Sequence, residues 1–498
     1  MNKTFFGLCA TALVYTSTAA QARQQQTDSL DLQELNEVIV SDSRFELKRE
    51  NSGKNIIKIS SEELGRYEGK SVADIINAKS GIEIAGSRGH DGNILGVFAR
   101  GGRGRQTLVL IDGVRVSDPS SFSQEYDLRM LSTARIESIE IIKGAASTLY
   151  GTNAATAVIN ITTKRASDKK ASLTLQTSRG TNHTTENQNY ALAHAMNTVL
   201  LSGSLDRFTY RVDFSNRYSD GLSANVTPMN EEDVFSKFNV GMKIGVRFSD
   251  DFSLNLYGDQ SKIKTEYDDS FSLLDAPYVF ISDQKRAGLS AKYGYKNGSL
   301  QLNAAIAEYA SENKSNFPNS FEGKNYAIDF FNKLSFSKRL YTVLGVNLIK
   351  DQADFEPRKE FTITDPYINA VYVSSFGLNI NAGLRLNIHS EYGNNLVYSA
   401  NPSYVIKMGE NKLKFMGSYA TSYITPSLTQ LFGNFGANPN LEPEDDRTME
   451  GGLEFSSNDK LRLTTLYFNR KEKNFVFFDG ANSRYLNSPN KIDAQGVE

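Results

Sequence analysis

The chain of 498 residues contains no tryptophan, one cysteine and four histidines, and each shortage removes a class of explanation. The lone Cys9 lies in a short apolar stretch, Phe5 to Tyr15, between a positive MNK start and Ala20-Gln21-Ala22. Residues 1–22 therefore read as a secretory signal peptide with an A-x-A cleavage site. A lipoprotein signal built on Cys9 is the rival reading, but Leu8 stands where such a signal wants a small residue. Cleavage after Ala22 would leave a mature chain without a thiol, which excludes disulfides and cysteine-ligated metals. With His90, His183, His194 and His389 as the full set of imidazoles, and neither G-x-S-x-G nor H-E-x-x-H, the chain carries no catalytic constellation. It is not expected to be an enzyme. A formal net charge of −2 supplies no polycation for nucleic acid.

Long apolar runs are also missing. Beyond the signal nothing approaches the ~18 residues of a transmembrane helix, and the mean hydropathy is −0.41. A soluble exported protein would look like this, and so would an outer-membrane barrel, whose strands alternate lipid-facing apolar residues with inward polar ones. That alternation is present. In FTYRVDFS, Phe208, Tyr210, Val212 and Phe214 oppose Thr209, Arg211, Asp213 and Ser215; in VGMKIGVRF, Val240, Met242, Ile244, Val246 and Phe248 oppose Gly241, Lys243, Gly245 and Arg247. Short turns (Ser249-Asp250-Asp251, Lys296-Asn297-Gly298) alternate with long polar loops such as residues 219–233, a barrel habit that a soluble sandwich does not share. The 24 Tyr and 29 Phe can form the aromatic girdles that tryptophan usually shares.

Upstream of Arg165 the pattern is mixed α/β. Ile56, Ile57 and Ile59 suggest a strand; Ser60 or Ser61 with Glu63 caps a short helix. In SVADIINAKSG, Val72, Ile75 and Ile76 share one helix face, with Gly81 as the stop. Thr107 to Ile111 reads as a buried strand ended by the turn Asp112-Gly113. Residues 23–34 are polar and aperiodic, and Glu37-Val38-Ile39-Val40-Ser41 is a small β-prone island after them.

TLVLIDGVRVSDPS, followed by IESIEIIKGAASTLYGTNAATAVINITTK, resembles the plug of TonB-dependent outer-membrane receptors: a strand ending in IDG, an IE-x-IE strand, K-G-x-x-S-x-x-Y-G, and V-I-N-I-x-T-K leading into a barrel. ITPSLTQLFGNFGANPNLEPEDDRTMEGGLEF resembles the barrel motif of the same family. Two departures stand out: Ser138 where Arg is usual, and Thr156-Ala157 in place of a Gly pair. The resemblance implies a mainly β fold, an antiparallel transmembrane β-barrel of the type with roughly 22 strands and an N-terminal α/β plug inside its lumen. The implied division is a signal peptide (1–22), a flexible lead with a TonB box (23–53), the plug (54–165) and the barrel (166–498). About 15 residues per strand for that many strands is too few, and the ending NKIDAQGVE resembles a strand opening well inside such barrels. The barrel is therefore expected to be incomplete at its C-terminal end.

In the light of the family, Glu37, Val38, Ile39, Val40 and Ser41 resemble the TonB box, an extended peptide that the inner-membrane TonB complex grips by strand addition. Main-chain bonding suits a β-branched, loosely tethered segment. By position, the plug loops toward the ligand carry Arg88, His90, Asp118 and Tyr126. RGGRGR, Arg100 to Arg105, lacks the GK[ST] of a P-loop and reads as structural. The segment from Asn230 to Asp275 is similar to early hairpins of cobalamin receptors, in which loop aspartates bind Ca²⁺. Asp268 and Asp275 match that pattern, Asp220 and Asp233 only loosely, so Ca²⁺ is a possible and not a required cofactor. The expected function is active import of a scarce nutrient chelate, cobalamin or similar, by a monomeric barrel in outer-membrane lipid, energised by TonB. A ferric-siderophore receptor and a passive porin are the alternatives.

Overall fold

A computed structural model describes residues 38–39, 43–67, 69–87, 91–93, 95–186, 188–221, 223, 232–269, 272–457 and 461–498 of the chain. It opens with two very short paired strands, β1 (Val38–Ile39) and β2 (Leu47–Lys48). β3 (Ile56–Ile59) follows, then α1 (Ser61–Arg66), whose N-cap Ser60 accepts from the Glu63 amide at 3.2 Å. α2 (Val72–Asn77) starts with a complete capping box between Ser71 and Asp74 and buries Val72, Ile75 and Ile76. It ends earlier than the expected stop: Ala78 is its C-cap, and Gly81 (φ +76°) turns the chain toward β4 (Glu83–Ala85) instead.

β4 pairs with β5 (Gly96–Phe98) in a small ribbon. β6 (Thr107–Ile111) and β7 (Val114–Val116) form the expected tight hairpin, with both turn residues at positive φ, Asp112 at 52° and Gly113 at 79°. β8 (Ile136–Lys143), the short α3 (Ser147–Tyr150) and β9 (Ala157–Thr163) complete this part. One five-stranded sheet, ordered β3-β8-β9-β6-β7, joins these strands, with β6 and β9 parallel. Both of its faces are covered, one by α2 over Ile139, Ile141, Ile159 and Ile161, the other by Leu149 and Tyr150 over Leu108, Leu110, Ile142 and Val158. Double burial explains why β6 reads as a continuous apolar run.

β10 (Ser172–Thr181) begins a sheet of sixteen strands, each antiparallel to its predecessor. Short turns join β11 (Leu192–Leu205) to β12 (Phe208–Ser219), and β13 (Phe235–Arg247) to β14 (Phe252–Asp269). At the same end lie the turns from β15 (Leu274–Tyr295) to β16 (Gly298–Lys314) and from β17 (Asn319–Ser335) to β18 (Leu340–Ala353). β19 (Lys359–Val373) turns there into β20 (Leu378–His389), β21 (Gly393–Met408) into β22 (Asn411–Ile424), and β23 (Glu444–Ser457) into β24 (Leu461–Lys473). The opposite end has the long connections. One carries α4 (Leu428–Phe432); another carries the hairpin β25 (Val476–Asp479) and β26 (Arg484–Asn487) before β27 (Ile492–Val497). The expected type of roughly 22 strands corresponds here to sixteen, and β10 and β27 do not pair with each other among the described residues.

The alternation seen in the sequence sorts the two faces, with the polar one buried. Arg211, Asp213 and Ser215 are buried while Val212 and Phe214 are exposed; Asn239 is buried beside exposed Val240 and Met242. What buries them is the five-stranded unit. It touches the inward faces of strands all along the sheet: Asn239 Nδ2 donates to the Met130 carbonyl (2.6 Å), Lys243 reaches Asp112 (3.0 Å), and the Thr148 and Ser399 hydroxyls meet at 2.9 Å. The unit therefore sits in the hollow of the barrel sheet, as a plug.

Two glycines make this fit possible. Gly144 holds φ +84°, where an added Cβ would lie 2.0 Å from the Glu450 carboxylate. Gly53 runs so close to β21 that a Cβ would sit 2.5 Å from the Asn401 carbonyl oxygen and 2.8 Å from that of Pro402. Thr156, one of the departures from the family pattern, finds its room beside Gly102, where a Cβ would fall 2.3 Å from its methyl. Because backbone cannot move aside as a flexible side chain can, Gly53→Ala should destabilise docking of the plug by about 1–3 kcal/mol. Urea unfolding followed by tyrosine near-UV circular dichroism should show a lowered midpoint, whereas Gly451→Ala, whose Cβ meets nothing within 4 Å, should not change it.

Candidate functional site

The lumen is lined by charge pairs that join plug to wall. Glu450 of β23, buried, lies between Lys54 Nζ (2.9 Å) and the Arg100 guanidinium (3.0 Å). Arg103 pairs with Glu444 (3.2 Å) and with Glu472, while Arg105 donates to the Thr425 carbonyl (2.6 Å) and to Gln430 of α4 (2.8 Å). The RGGRGR stretch is thus a clamp between plug and wall, matching its structural reading. On the other side of the lumen the signs reverse: plug Asp112 meets Lys243 of β13, and plug Asp91 meets Arg217 of β12 at 2.6 Å. Burial pushes the Asp112 carboxyl up, but Lys243 and the amide and hydroxyl of Thr163 outweigh it and hold it below the ordinary range.

The lead is fastened to the same lattice. Of the proposed TonB box, Glu37, Val40 and Ser41 lie outside the described residues; Val38 and Ile39 form β1. Ile39 is 1% exposed and packs with Ile56, Leu108 and Ile142, so the segment is not loosely tethered. Residues 43–53, expected to belong to a flexible lead, also correct that reading, because Arg44 anchors them. Its guanidinium pairs with Asp329 of β17 (2.5 Å), donates to the Leu149 carbonyl of α3 (3.1 Å), and lies over the rings of Phe331 (4.5 Å) and Tyr367 (5.2 Å). Arg385 of β20 donates to the same Leu149 carbonyl (2.7 Å) and to that of Thr148 (3.1 Å) while paired with Asp365. Nothing periodic marks Arg44 in the sequence; its partner is 285 residues away.

At the long-loop end, the plug loop after β7 meets the barrel loops. The Thr429 and Ser427 hydroxyls donate to the carbonyls of Ser120 (2.5 Å) and Phe122 (2.9 Å). The Phe122 ring lies against Phe321 (5.6 Å) and Tyr485 (6.4 Å); Tyr485 meets Phe478 (5.3 Å), which stacks on Phe435 (5.2 Å). Four chain segments build this aromatic mouth, and no Lys or Arg sits over any of its five rings among the described residues. Sequence reasoning missed it, because such rings are indistinguishable by spacing from girdle aromatics. Of the expected ligand contacts, Arg88 and His90 lie outside the described residues. Asp118 turns into its own loop, accepting from the Ser120 hydroxyl (2.6 Å) and amide (2.9 Å). Tyr126 packs inward near Met130, Phe235 and Ile263, away from the mouth rings.

The four aspartates offered for Ca²⁺ share one rim. Register pairs Ser219 with Phe235 and Phe235 with Thr265, which places Asp220, Asp233, Asp268 and Asp275 at the same end of adjacent strands. Asp268 accepts from the Ser223 hydroxyl (3.0 Å) and the Ala276 amide (3.1 Å). Among the described residues no three His, Cys, Asp or Glu side chains gather as a metal cluster, and the oxygen donors of this rim are of the type Ca²⁺ takes.

Two outcomes follow from this geometry. Arg44→Ala leaves Asp329 buried without its cation, at a cost of about 3–5 kcal/mol. Deuterium exchange of the Leu47 and Lys48 amides should speed at least about tenfold, with the β17–β18 amides unchanged. In the mouth loop, burial pushes the Asp118 carboxyl up from 3.8 to about 6, against the hydrogen bonds from Ser120, and pushes Glu125 from 4.5 to about 7, against Arg105. Both folded values are raised, so their contribution is complete below about pH 4 and is lost as pH climbs through about 6 and then about 7. Exchange at the Ser120 and Ser121 amides, corrected for its intrinsic pH dependence, should rise across that window in the native chain and stay flat in D118N/E125Q.

Two family models match the chain: the TonB-dependent receptor plug domain over residues 48–158, and the TonB-dependent receptor-like β-barrel over residues 143–498. The vitamin B12 transporter BtuB of Photobacterium profundum is 25% identical over 464 residues, covering 91% of this chain and 71% of that one. Among solved structures, a mutant of the ferric enterobactin receptor PfeA of Pseudomonas aeruginosa superposes with a TM-score of 0.74 at 18% identity, covering 93% of this chain and 78% of that one. The siderophore receptor PirA of Acinetobacter baumannii gives 0.73 at 17%, covering 89% and 77%. A plug clamped into an antiparallel barrel sheet, matched by both family models, makes this chain a member of the TonB-dependent receptors of the outer membrane, a family of transporters and receptors and not of enzymes.

Proposed function

We propose that this receptor binds a large, weakly charged nutrient chelate of the cobalamin type at its aromatic mouth, and that the TonB complex draws on the segment from Glu37 to Ser41 to admit it to the periplasm. The observation that carries the ligand reading is the ring cluster of Phe122, Phe321, Tyr485 and Phe478, with no cation over it among the described residues. Such a surface suits a broad macrocycle with hydrophobic edges; a trianionic ferric chelate calls for cationic partners. A relative that transports vitamin B12 supports the same choice, while the siderophore receptors named above share the fold alone. The energy reading rests on the plug: a filled lumen opposes passive flow, so uptake needs outside work delivered through a protein contact. Ca²⁺ is proposed as an optional ligand of the rim aspartates, and no step of uptake is routed through it; Tb³⁺ luminescence lost in D233N/D268N would establish it.

Tyrosine fluorescence, free of any indole background, should be quenched by cobalamin and not by ferric enterobactin. F122A and Y485A should each weaken cobalamin binding about tenfold. Saturable quenching by the ferric chelate alone would transfer the assignment to siderophores. Deleting residues 37–42 should abolish uptake while binding persists; uptake unaffected by the deletion would instead mean a passive pore.

A further inference from the structure

The barrel wall splits at one place. β21 stays paired with β20 up to Gly393, opposite His389, and β22 stays paired with β23 up to Ile424, opposite Glu444. Between β21 and β22, however, the ladder stops at Ser399 opposite Ala420. Beyond that rung the strands are bridged by the Thr421 hydroxyl, which accepts from the Tyr398 amide at 3.0 Å. A cavity of about 410 Å³ opens there, bordered by Leu396, Asp445, Arg447, Lys471, Lys473 and Lys491.

Parity tells which way it faces. Leu396, Arg447, Lys471 and Lys473 fall in the same alternation as Tyr398, Met449 and Tyr467, which are 42%, 53% and 49% exposed on the outward face. The cleft therefore opens toward the lipid-facing side between the splayed strands, with the inward Val397, Ser422 and Asp446 at its back, at the long-loop end, which in an outer-membrane barrel points away from the cell. An apolar stripe leads straight up to it.

Its cations are clustered. Elsewhere Lys324 is neutralised by Glu308 at 2.7 Å and Lys350 by Glu360 at 2.9 Å. At the cleft, four cations face Asp445, Asp446 and the nearby Asp493, and Asp446 is already held by the buried Arg470. Lys471 reaches Asp493 at 3.7 Å, and among the described residues no carboxylate comes within ion-pair distance of Arg447, Lys473 or Lys491. Asp445 stands opposite Lys473 in register without closing a pair to it.

We propose that this cleft holds the phosphorylated headgroup of an anionic outer-leaflet glycolipid. Arg447 supplies a planar fork for a phosphate, Lys473 and Lys491 supply further positive charge, and the splayed strands supply the space. The acyl chains continue along the stripe of Tyr398, Met449 and Tyr467. That stripe commits the site to a lipid: a free phosphate would use the cations and leave the apolar part unmatched. A volume of about 410 Å³ suits a headgroup fragment and not a whole lipid.

The absence of tryptophan gives a clean test. L396W places the sole indole at the mouth of the cleft. In detergent micelles of the full chain, diphosphorylated lipid A should shift its emission saturably, while the dephosphorylated disaccharide lipid and inorganic phosphate should not. Adding R447Q/K473Q/K491Q should weaken the response at least about tenfold, whereas K324Q/K350Q should change it less than about twofold. R447Q alone, which leaves all three lysines of the cleft in place, provides a milder variant in which loss of β-structure can be excluded by circular dichroism; it should weaken the response about threefold or more. Equal binding by the triple variant, equal binding of the dephosphorylated lipid, saturable binding of inorganic phosphate alone, or equal weakening by K324Q/K350Q would each overturn the proposal.

Discussion

A carboxylate buried between wall and plug has to find a cation, and Glu450 between Lys54 and Arg100 is where that requirement is most plainly met. A strand that crosses a bilayer must turn its apolar residues outward, which forces its polar residues inward. Once a plug fills the lumen, those polar groups lose water as well, and every charge left unpaired would be expensive. The plug answers with Arg44, Lys54, Arg100 and Arg103 against the carboxylates of β17, β23 and β24, and with Asp91 and Asp112 against the cations of β12 and β13. Buried pairs of this kind add little net stability compared with apolar packing, but a mismatched one is costly. Their arrangement therefore fixes the rotation of the plug within the barrel more than it fixes the strength of its binding.

This explains which parts of the molecule could be read from the sequence. Local chemistry was legible: the Ser60 cap, the Asp112-Gly113 turn and the uninterrupted β6 all follow from a few adjacent residues. Alternation in FTYRVDFS identified two faces, and family resemblance told which one is buried; period alone leaves that undecided, since an alternating strand can equally face water on its polar side. The 43–53 segment was misread because its composition is polar, while its order comes from Arg44 and Lys54 reaching wall carboxylates hundreds of positions away. The aromatic mouth escaped for the same reason: Phe122, Phe321 and Tyr485 come together only through the barrel's curvature. Gly81 reads as a helix stop, yet the helix ends three residues earlier, at its Ala78 cap.

The mouth and the lead are joined by continuous polar contacts. Arg105 holds the α4 loop through Gln430 and the Thr425 carbonyl, and its own carbonyl accepts from Asn153 at 2.9 Å. Arg115 binds Thr152 and Asn153 together, and a few residues earlier the Leu149 carbonyl accepts from both Arg44 and Arg385. Contiguity is not transmission; a signal needs an element with two stable states that both ends can bias. The element of this path best suited to that is the β1–β2 ladder, which has two residue pairs where β8 and β9 have seven.

That difference separates two energy scales. Each rung of a ladder contributes about 0.5–1.5 kcal/mol net, so two rungs resist pulling only weakly, and they can break one after the other. The buried Arg44–Asp329 pair is the stronger restraint, and it stands directly behind them. Tension on the lead would first unzip Val38 and Ile39 from Leu47 and Lys48, and then meet an arginine held at once by Asp329 and the Leu149 carbonyl. A pull that overcame it would leave Asp329 uncompensated and free one of the two donors on the α3 carbonyl, while the Glu450 and Glu472 clamps elsewhere stayed closed. Force applied at the tail is thus focused on the side of the plug held by Arg44 and Arg385, so that local release is favoured over expulsion of the plug as a whole.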